Sequence, residues 1–298
     1  MATSSLRLEV LKTYKLYIGG QFPRTESGRY YSPVNANGKK IANVCLASRK
    51  DLRDAIGAAR AAFGGWSNRS AFNRGQILYR MAEMLEGRKN QFIDELMMEG
   101  VSKTLAKKEL TIAIDRLIHY AGWCDKYQAL FSSVNPVASS HFNFSVPEPM
   151  GVVGIIAPEN SSLLGLVSMM APCIAGGNTC VIIASYKSPL SAISFAEVLN
   201  SSDLPGGVVN ILTGQVSELI GWVGTHLDIN AIVVGTDNKQ LWQKVQQDSA
   251  SNVKRTFNWS AKGLNSPGGQ YPDLIMDLQE IKTTWHPIQN IAGSGAAY

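Results

Sequence analysis

Four cysteines, Cys45, Cys124, Cys173 and Cys180, are the residues of this 298-residue chain that could carry nucleophilic or metal chemistry. They form no CxxC pair and no Cys/His cluster at metal-ligand spacing, so no metal site is expected. Dispersed cysteines of this kind read as buried, reduced thiols of a cytosolic chain. Polar groups that could meet a ligand gather instead in "GVVGIIAPENSSLLG", Gly151 to Gly165, where an apolar run passes through Pro158, Glu159, Asn160, Ser161 and Ser162 into a helical segment. A buried strand, a loop and a helix in that order is where α/β proteins place ligands. No GxGxxG follows any strand-like run, so the common dinucleotide fingerprint is absent.

The elements around that stretch can be read from periodicity. After a strand-like "KLYIGGQF" and a turn-rich stretch to Lys40, Asp51 reads as the N-cap of a helix with Leu52, Ala55, Ile56, Ala59 and Phe63 on one face, ending at Gly64 and Gly65. A second helical segment, 72–100, carries Ile77, Met81, Met84, Leu85, Phe92 and Leu96. A third, 104–130, carries Leu110, Ala113, Ile114, Leu117, Ile118 and Ala121. "SSHFNFSVPEP" then alternates like a half-exposed strand.

From Gly151 the regime changes. The runs "GVVGIIA", "TCVIIAS", "GVVNILT", "NAIVVG" and "VKRTFNW" alternate with helix-length segments beginning near Leu163, Pro189, Val216 and Asn238. That alternation predicts parallel βαβ units and a sheet covered on both faces. The pairs Gly176-Gly177 and Gly206-Gly207 read as glycines at helix C-termini.

A hydrophobic content of 45% is enough for a full core, and the net charge of +5 comes from basic and acidic residues scattered along the chain, so a nucleic-acid partner is not expected. "MATSSLRLEVLKTYKLYIGG" lacks an apolar run of signal-peptide length, and no later stretch approaches a membrane span. The expectation is a soluble, cytoplasmic protein with no membrane partner.

The segments "YIGGQF", "DLRDAIGAARAAFGGW", "RGQILYRMAEMLE", "AIDRLIHYAGWCDKY", "PEPMGVVGIIAPEN", "APCIAGGNTCVI", "SPLSA" and "DLPGGVVNILTG" follow in an order and spacing that resemble the aldehyde dehydrogenase superfamily. The resemblance implies an α/β fold: a Rossmann-like parallel sheet with flanking helices, N-terminal helices, and a small β-strand oligomerisation bridge. It places the N-terminal helical part at 1–135, the oligomerisation strands at 136–148 and 274–290, and the Rossmann-like βαβ part at 149–262. The bridge residues it implies are His141, Phe142, Phe144 and Val146 on one strand and Ile281, Thr283 and Trp285 on the other, paired as a two-stranded ribbon.

An active member needs a thiol, a carboxylate to activate water, an oxyanion donor and a nicotinamide. The family's thiol lies downstream of the cofactor sheet, where this chain has no cysteine; its glutamate aligns with Asn258; Asn160 is a remnant of the oxyanion donor, read here as holding its own loop through side-chain bonds. The family's ribose-binding lysine aligns with Ile183, followed by Ala184, Ser185 and Tyr186. Its helix-opening turn aligns with Val234, Gly235, Thr236 and Asp237, the last read as an N-cap whose charge disfavours a diphosphate. Ala157, Pro158, Ser185, Gly214 and Gly235 are what remains of a cofactor site. No cofactor is expected, with NAD or NADP the alternative.

After Lys262 the family continues with a catalytic domain. Here "GLNSPGGQYPD" leads to "LIMDLQEIKTTWHPI", which resembles the family's final strand, so the catalytic domain is expected to be absent. The chain resembles most the truncated, non-catalytic second domain of two-domain aldehyde dehydrogenases. The leading expectation is an inactive structural or regulatory subunit that docks on a full-length aldehyde dehydrogenase, or forms a homo-oligomer, through its bridge. The alternatives are an NAD(P)-binding or sensor module and a dehydrogenase active only with a partner.

Overall fold

A computed structural model describes residues 10–35 and 37–288. Residues 1–9 and 36 of the expected N-terminal part, and 289–290 of the expected C-terminal strand segment, lie outside the described residues.

Three short strands, β1 (Thr13–Tyr14), β2 (Tyr30–Tyr31) and β3 (Asn43–Cys45), form a small sheet ordered β1-β3-β2, of which only β2 falls in the stretch read from sequence as turns. Helices α1 (Arg49–Ser67), α2 (Ala71–Gly87), α3 (Lys89–Met98), α4 (Lys103–Ala121) and α5 (Tyr127–Phe131) follow. The segment 72–100 is therefore two helices that break at Arg88, just after a glycine, and 104–130 breaks at Gly122. Ile118 is not core but 43% exposed.

The N-cap of α1 is Ser48, not Asp51. Its hydroxyl accepts from the Lys50 and Asp51 amides, and the Asp51 carboxylate accepts from the Ser48 amide at 2.8 Å, a reciprocal capping box. Asp51 is also held by the Thr25 hydroxyl at 2.6 Å and the Glu26 amide at 3.2 Å, so one buried carboxylate ties the N-terminal loop to the helix. Gly64 and Gly65 do not end α1 because buried Trp66 follows them, its indole N–H donating to the Ile174 carbonyl at 3.0 Å. Tertiary packing overrides glycine's weak helix propensity there.

The Rossmann-like part runs β6 (Val152–Ile156), α6 (Leu164–Ala175), β7 (Thr179–Ile183), α7 (Leu190–Asn200), β8 (Val209–Leu212), α8 (Val216–Thr225), β9 (Ala231–Val234), α9 (Lys239–Ala250) and β10 (Arg255–Asn258). Its five strands pair in parallel in the order β10-β9-β6-β7-β8. Alternate residues face opposite layers: Val152, Ile156, Val181 and Ile183 join the core shared with α1 and α8, while Val153, Ile155 and Ile182 join the core shared with α6, α7 and the N-terminal helices. Burial on both faces explains why these strands read as continuous apolar runs. Gly176 and Gly177 do close α6, but α7 ends at Asn200, before Gly206 and Gly207. That pair is required by contact: a Cβ on Gly206 would lie 2.6 Å from the Gly19 carbonyl oxygen, and one on Gly207 2.6 Å from that of Ala58.

Two helices of this part are capped from a distance. Leu190, first in α7, donates its amide to Glu99 at 2.7 Å, and Leu163 and Leu164 at the start of α6 donate theirs to Glu109 at 3.1 and 3.0 Å.

A separate sheet ordered β11-β5-β4 joins β4 (Ser133–Asn135), β5 (His141–Pro149) and β11 (Gln279–Pro287). The C-terminal strand pairs antiparallel with β5 from Gln279 opposite Pro149 to Pro287 opposite His141. The expected two-stranded ribbon is thus three-stranded, because Asn135 folds back to donate to Asn143 at 2.6 Å and Ser145 at 2.9 Å. Within 274–290, residues up to Met276 belong to the short helix α10 (Asp273–Met276) rather than to the strand.

The link between β10 and β11 is held by Arg116 of α4, which is fully buried. Its guanidinium donates to the Ser168 hydroxyl at 3.0 Å, the Ser266 carbonyl at 2.7 Å and the Gly269 carbonyl. Where the strand leaves the body, Asn178 donates to the Leu278 carbonyl at 2.9 Å, and Arg255 to the Gln279 carbonyl at 3.0 Å and Glu280 at 2.7 Å.

Two outcomes follow from the long-range caps. Asp51→Ala removes the capping box and the Thr25 and Glu26 bonds together, and is expected to lower unfolding free energy by about 2 kcal/mol in urea titrations. Glu99 is pushed up to about 8, first by burial, against the opposing Leu190 amide and with Glu95 and Glu109 adding repulsion. Its folded value lies above its unfolded one, so its contribution to stability is present at acid pH and is lost as pH rises from about 4.5 towards about 8. Urea midpoints measured across that window should fall less steeply for Glu99→Gln than for the wild type.

Candidate functional site

The strand order reverses at β6, which has β7 on one side and β9 on the other. In open α/β sheets the ligand crevice opens at the carboxyl ends of the strands flanking such a reversal. Ala157, Pro158, Ser185 and Gly235 gather at this edge: the Ala157 amide donates to the Ile183 carbonyl at 3.0 Å and the Gly235 amide to that of Ile156 at 2.9 Å. Gly214 is not among them. It lies beyond β8, where its added Cβ would sit 3.2 Å from the Ala47 amide nitrogen.

The loop after β6 is not organised by Asn160. That residue is exposed, and among the described residues its side chain makes no hydrogen bond. Glu159 and Glu109 do the organising. Glu159 reaches across to the loop after β7, where its carboxylate accepts from the Ser185 hydroxyl at 2.6 Å, the Tyr186 amide at 3.2 Å and the Lys187 amide at 3.1 Å. Glu109 accepts from the Ser161 hydroxyl at 3.2 Å as well as from the α6 amides. Neither role is marked by a local pattern: Glu109 sits on the polar side of an amphipathic helix, and its partners are more than fifty residues away.

At the carboxyl end of β9 the N-cap of α9 is Asn238, whose side chain accepts from the Leu241 amide at 3.1 Å. Asp237 lies one residue outside the cap, correcting its expected role. Asn258, at the end of β10, uses both ends of its amide: the oxygen accepts from the Ser260 amide at 3.0 Å and the nitrogen donates to the Thr236 carbonyl at 3.4 Å. A neutral amide so engaged does not serve as a general base.

All four cysteines are buried and free. Burial pushes the Cys124 thiol up to about 12, and burial together with neighbouring Cys180 pushes Cys173 well above the usual thiol range. Neither is poised to supply a thiolate near neutral pH. Among the described residues no group of three His, Cys, Asp or Glu side chains is arranged to hold a metal, and no helix is long and apolar enough to cross a membrane.

The bridge residues fall on the β11-β5-β4 sheet. Thr283 shares a hydrogen bond of 2.8 Å with Ser145, and Trp285 packs edge-on against His141. Phe142 and Phe144 pack against each other on β5, and Val146 lies opposite Lys282. Phe142, Ile281 and Trp285 are 46%, 56% and 57% exposed.

Residues 23–258 match the aldehyde dehydrogenase family. Mouse cytosolic 10-formyltetrahydrofolate dehydrogenase is 35% identical over 256 residues, which is 84% of this chain and 28% of that protein. Among solved structures, the NAD+ complex of the Bacillus cereus aldehyde dehydrogenase superposes with a TM-score of 0.79 at 26% identity, covering 83% of this chain and 50% of that one. Pseudomonas syringae aldehyde dehydrogenase C, with NAD+ and octanal, gives 0.76 at 31% identity over 82% of this chain and 49% of that one. The chain thus spans between about a quarter and a half of the length of these relatives. A parallel five-stranded sheet in the order described, a helical N-terminal layer and a match over most of its length make this chain a member of the aldehyde dehydrogenase family.

Proposed function

We propose that the chain is a non-catalytic aldehyde-dehydrogenase-like subunit that docks on a full-length aldehyde dehydrogenase through the β11-β5-β4 sheet. The observation that carries this reading is the free edge of β11. The strand is nine residues long and pairs with β5 on one side, while among the described strands none pairs with its other side. A long edge bearing exposed Ile281 and Trp285 offers main-chain hydrogen bonds and apolar side chains to an added strand. The chemistry points the same way: no cysteine follows Cys180, burial holds the Cys124 and Cys173 thiols protonated, and Asn258 stands where a base is needed. The proposal includes no resident cofactor and a cytoplasmic location.

Native mass spectrometry of the tagged chain captured from its source is expected to show a stoichiometric complex with a full-length aldehyde dehydrogenase; a monomer with no dehydrogenase bound overturns the proposal. Trp285→Ala, which removes an exposed side chain, should leave the melting temperature unchanged while weakening the complex by about 2 kcal/mol, roughly thirtyfold in Kd. The thiols should also resist an aromatic disulfide reagent in the folded protein and all react after unfolding. A fast-reacting thiol in the folded chain would contradict the non-catalytic part of the reading.

A further inference from the structure

The two solved relatives named above hold NAD+. In doubly wound sheets a dinucleotide sets its ribose at the end of the second strand. That position is taken here by one of the chain's own carboxylates, while another holds the start of α6. The first amides of α6, Leu163 and Leu164, are spent on Glu109. At the end of β7, Ile183 and Ala184 are buried and apolar, and the polar groups that follow them, the Ser185 hydroxyl and the Tyr186 and Lys187 amides, converge on Glu159.

The gap between β6 and β9 is filled as well. Pro158 wedges against Gly165 of α6 and Gly235 after β9; a Cβ on Gly235 would lie 3.0 Å from the Pro158 Cδ and 2.9 Å from the Met169 sulfur. Two open spaces lie elsewhere. A groove of about 930 Å³ runs along α2 and α4 past Phe72, Tyr79 and Ile118, and one of about 260 Å³ sits beside Arg24, Tyr30 and Cys45. Neither is lined by Ala157, Pro158, Ser185 or Gly235. A pyrophosphate entering the crevice would approach Glu159, Glu109 and Asp237 with like charge. The residues present do not fit NAD.

We propose that Glu159 acts as an internal occupant of the dinucleotide crevice, a side chain folded into the ribose position that keeps the nucleotide out. Its hydrogen bonds all go to the loop after β7, whereas Glu109 holds the start of α6. Glu159 is therefore the group whose removal opens the crevice without dismantling a helix. This inference goes beyond the docking proposal and stands apart from it, since a docked subunit has no need of NAD and the capture experiment is blind to the crevice.

The test titrates NAD calorimetrically into the wild type, Glu159→Ala and Glu159→Gln, with melting curves for each and amide exchange at Tyr186 and Lys187. The wild type should give no binding through millimolar NAD. Glu159→Ala should bind at least about tenfold more tightly than the wild-type limit, with faster exchange at both amides. Glu159→Gln preserves the side chain's size should the alanine variant fail to fold, and it too should gain affinity over the wild type. Micromolar NAD binding by the wild type overturns the proposal, as does a folded variant with both amides opened and no gain in affinity.

Discussion

A buried guanidinium with no carboxylate beside it among the described residues ties α4 to α6 and to the link between β10 and β11. Arg116 keeps its charge in the core by donating to the Ser168 hydroxyl and to the carbonyls of Ser266 and Gly269, and Ser168 in turn donates to the Leu264 carbonyl at 3.2 Å. A charge taken out of water is costly unless its donors are met, so the loop from Leu264 to Gly269 is bound where its carbonyls meet the two terminal nitrogens, the Nε alone being without a partner among the described residues. Burial lowers the affinity of this group for its proton, yet arginine remains charged in proteins. Nearby, Tyr120 donates to the Tyr271 carbonyl at 3.1 Å and buried Trp259 to Asp277 at 2.9 Å. These contacts hold residues 259–278, which carry the chain from β10 at the sheet edge back to β11.

That short return has consequences at both ends of the molecule. It delivers β11 to β5 in a fixed register, anchored by Asn178 and Arg255, and so leaves a long strand that is paired on one side only among the described strands. An edge of this kind is a liability in isolation and an attachment point when a partner strand is present. The Rossmann-like part keeps its strand order while its crevice is satisfied from within, by carboxylates on α4 and on the loop after β6. An anion-accepting helix start filled by Glu109 is stabilised without a ligand.

Much of this architecture was legible in the sequence. Apolar runs such as Val152–Ile156 and Thr179–Ile183, spaced by helix-length segments, implied a parallel sheet buried on both faces. The half-exposed alternation around His141–Val146 implied a strand of another kind. Errors clustered where a tertiary contact outweighs a local preference. Trp66 carries α1 through two glycines, Ser48 rather than Asp51 caps it, and Gly206 and Gly207 yield to backbone approaching from Gly19 and Ala58 instead of ending a helix.

By itself the sequence determined periodicity and chemical inventory: which segments could bury a face, that no cysteine follows Cys180, and that an amide stands at Asn258. These depend only on residue type and local spacing. The tertiary structure alone decided who meets whom. Glu159 finding Ser185, Glu109 finding the start of α6, and Arg116 finding Ser266 and Gly269 join residues from 26 to 153 positions apart. Hydrogen-bonding partners at such separation are set by the packing of whole elements, and nothing in the local pattern of a helix or loop encodes them.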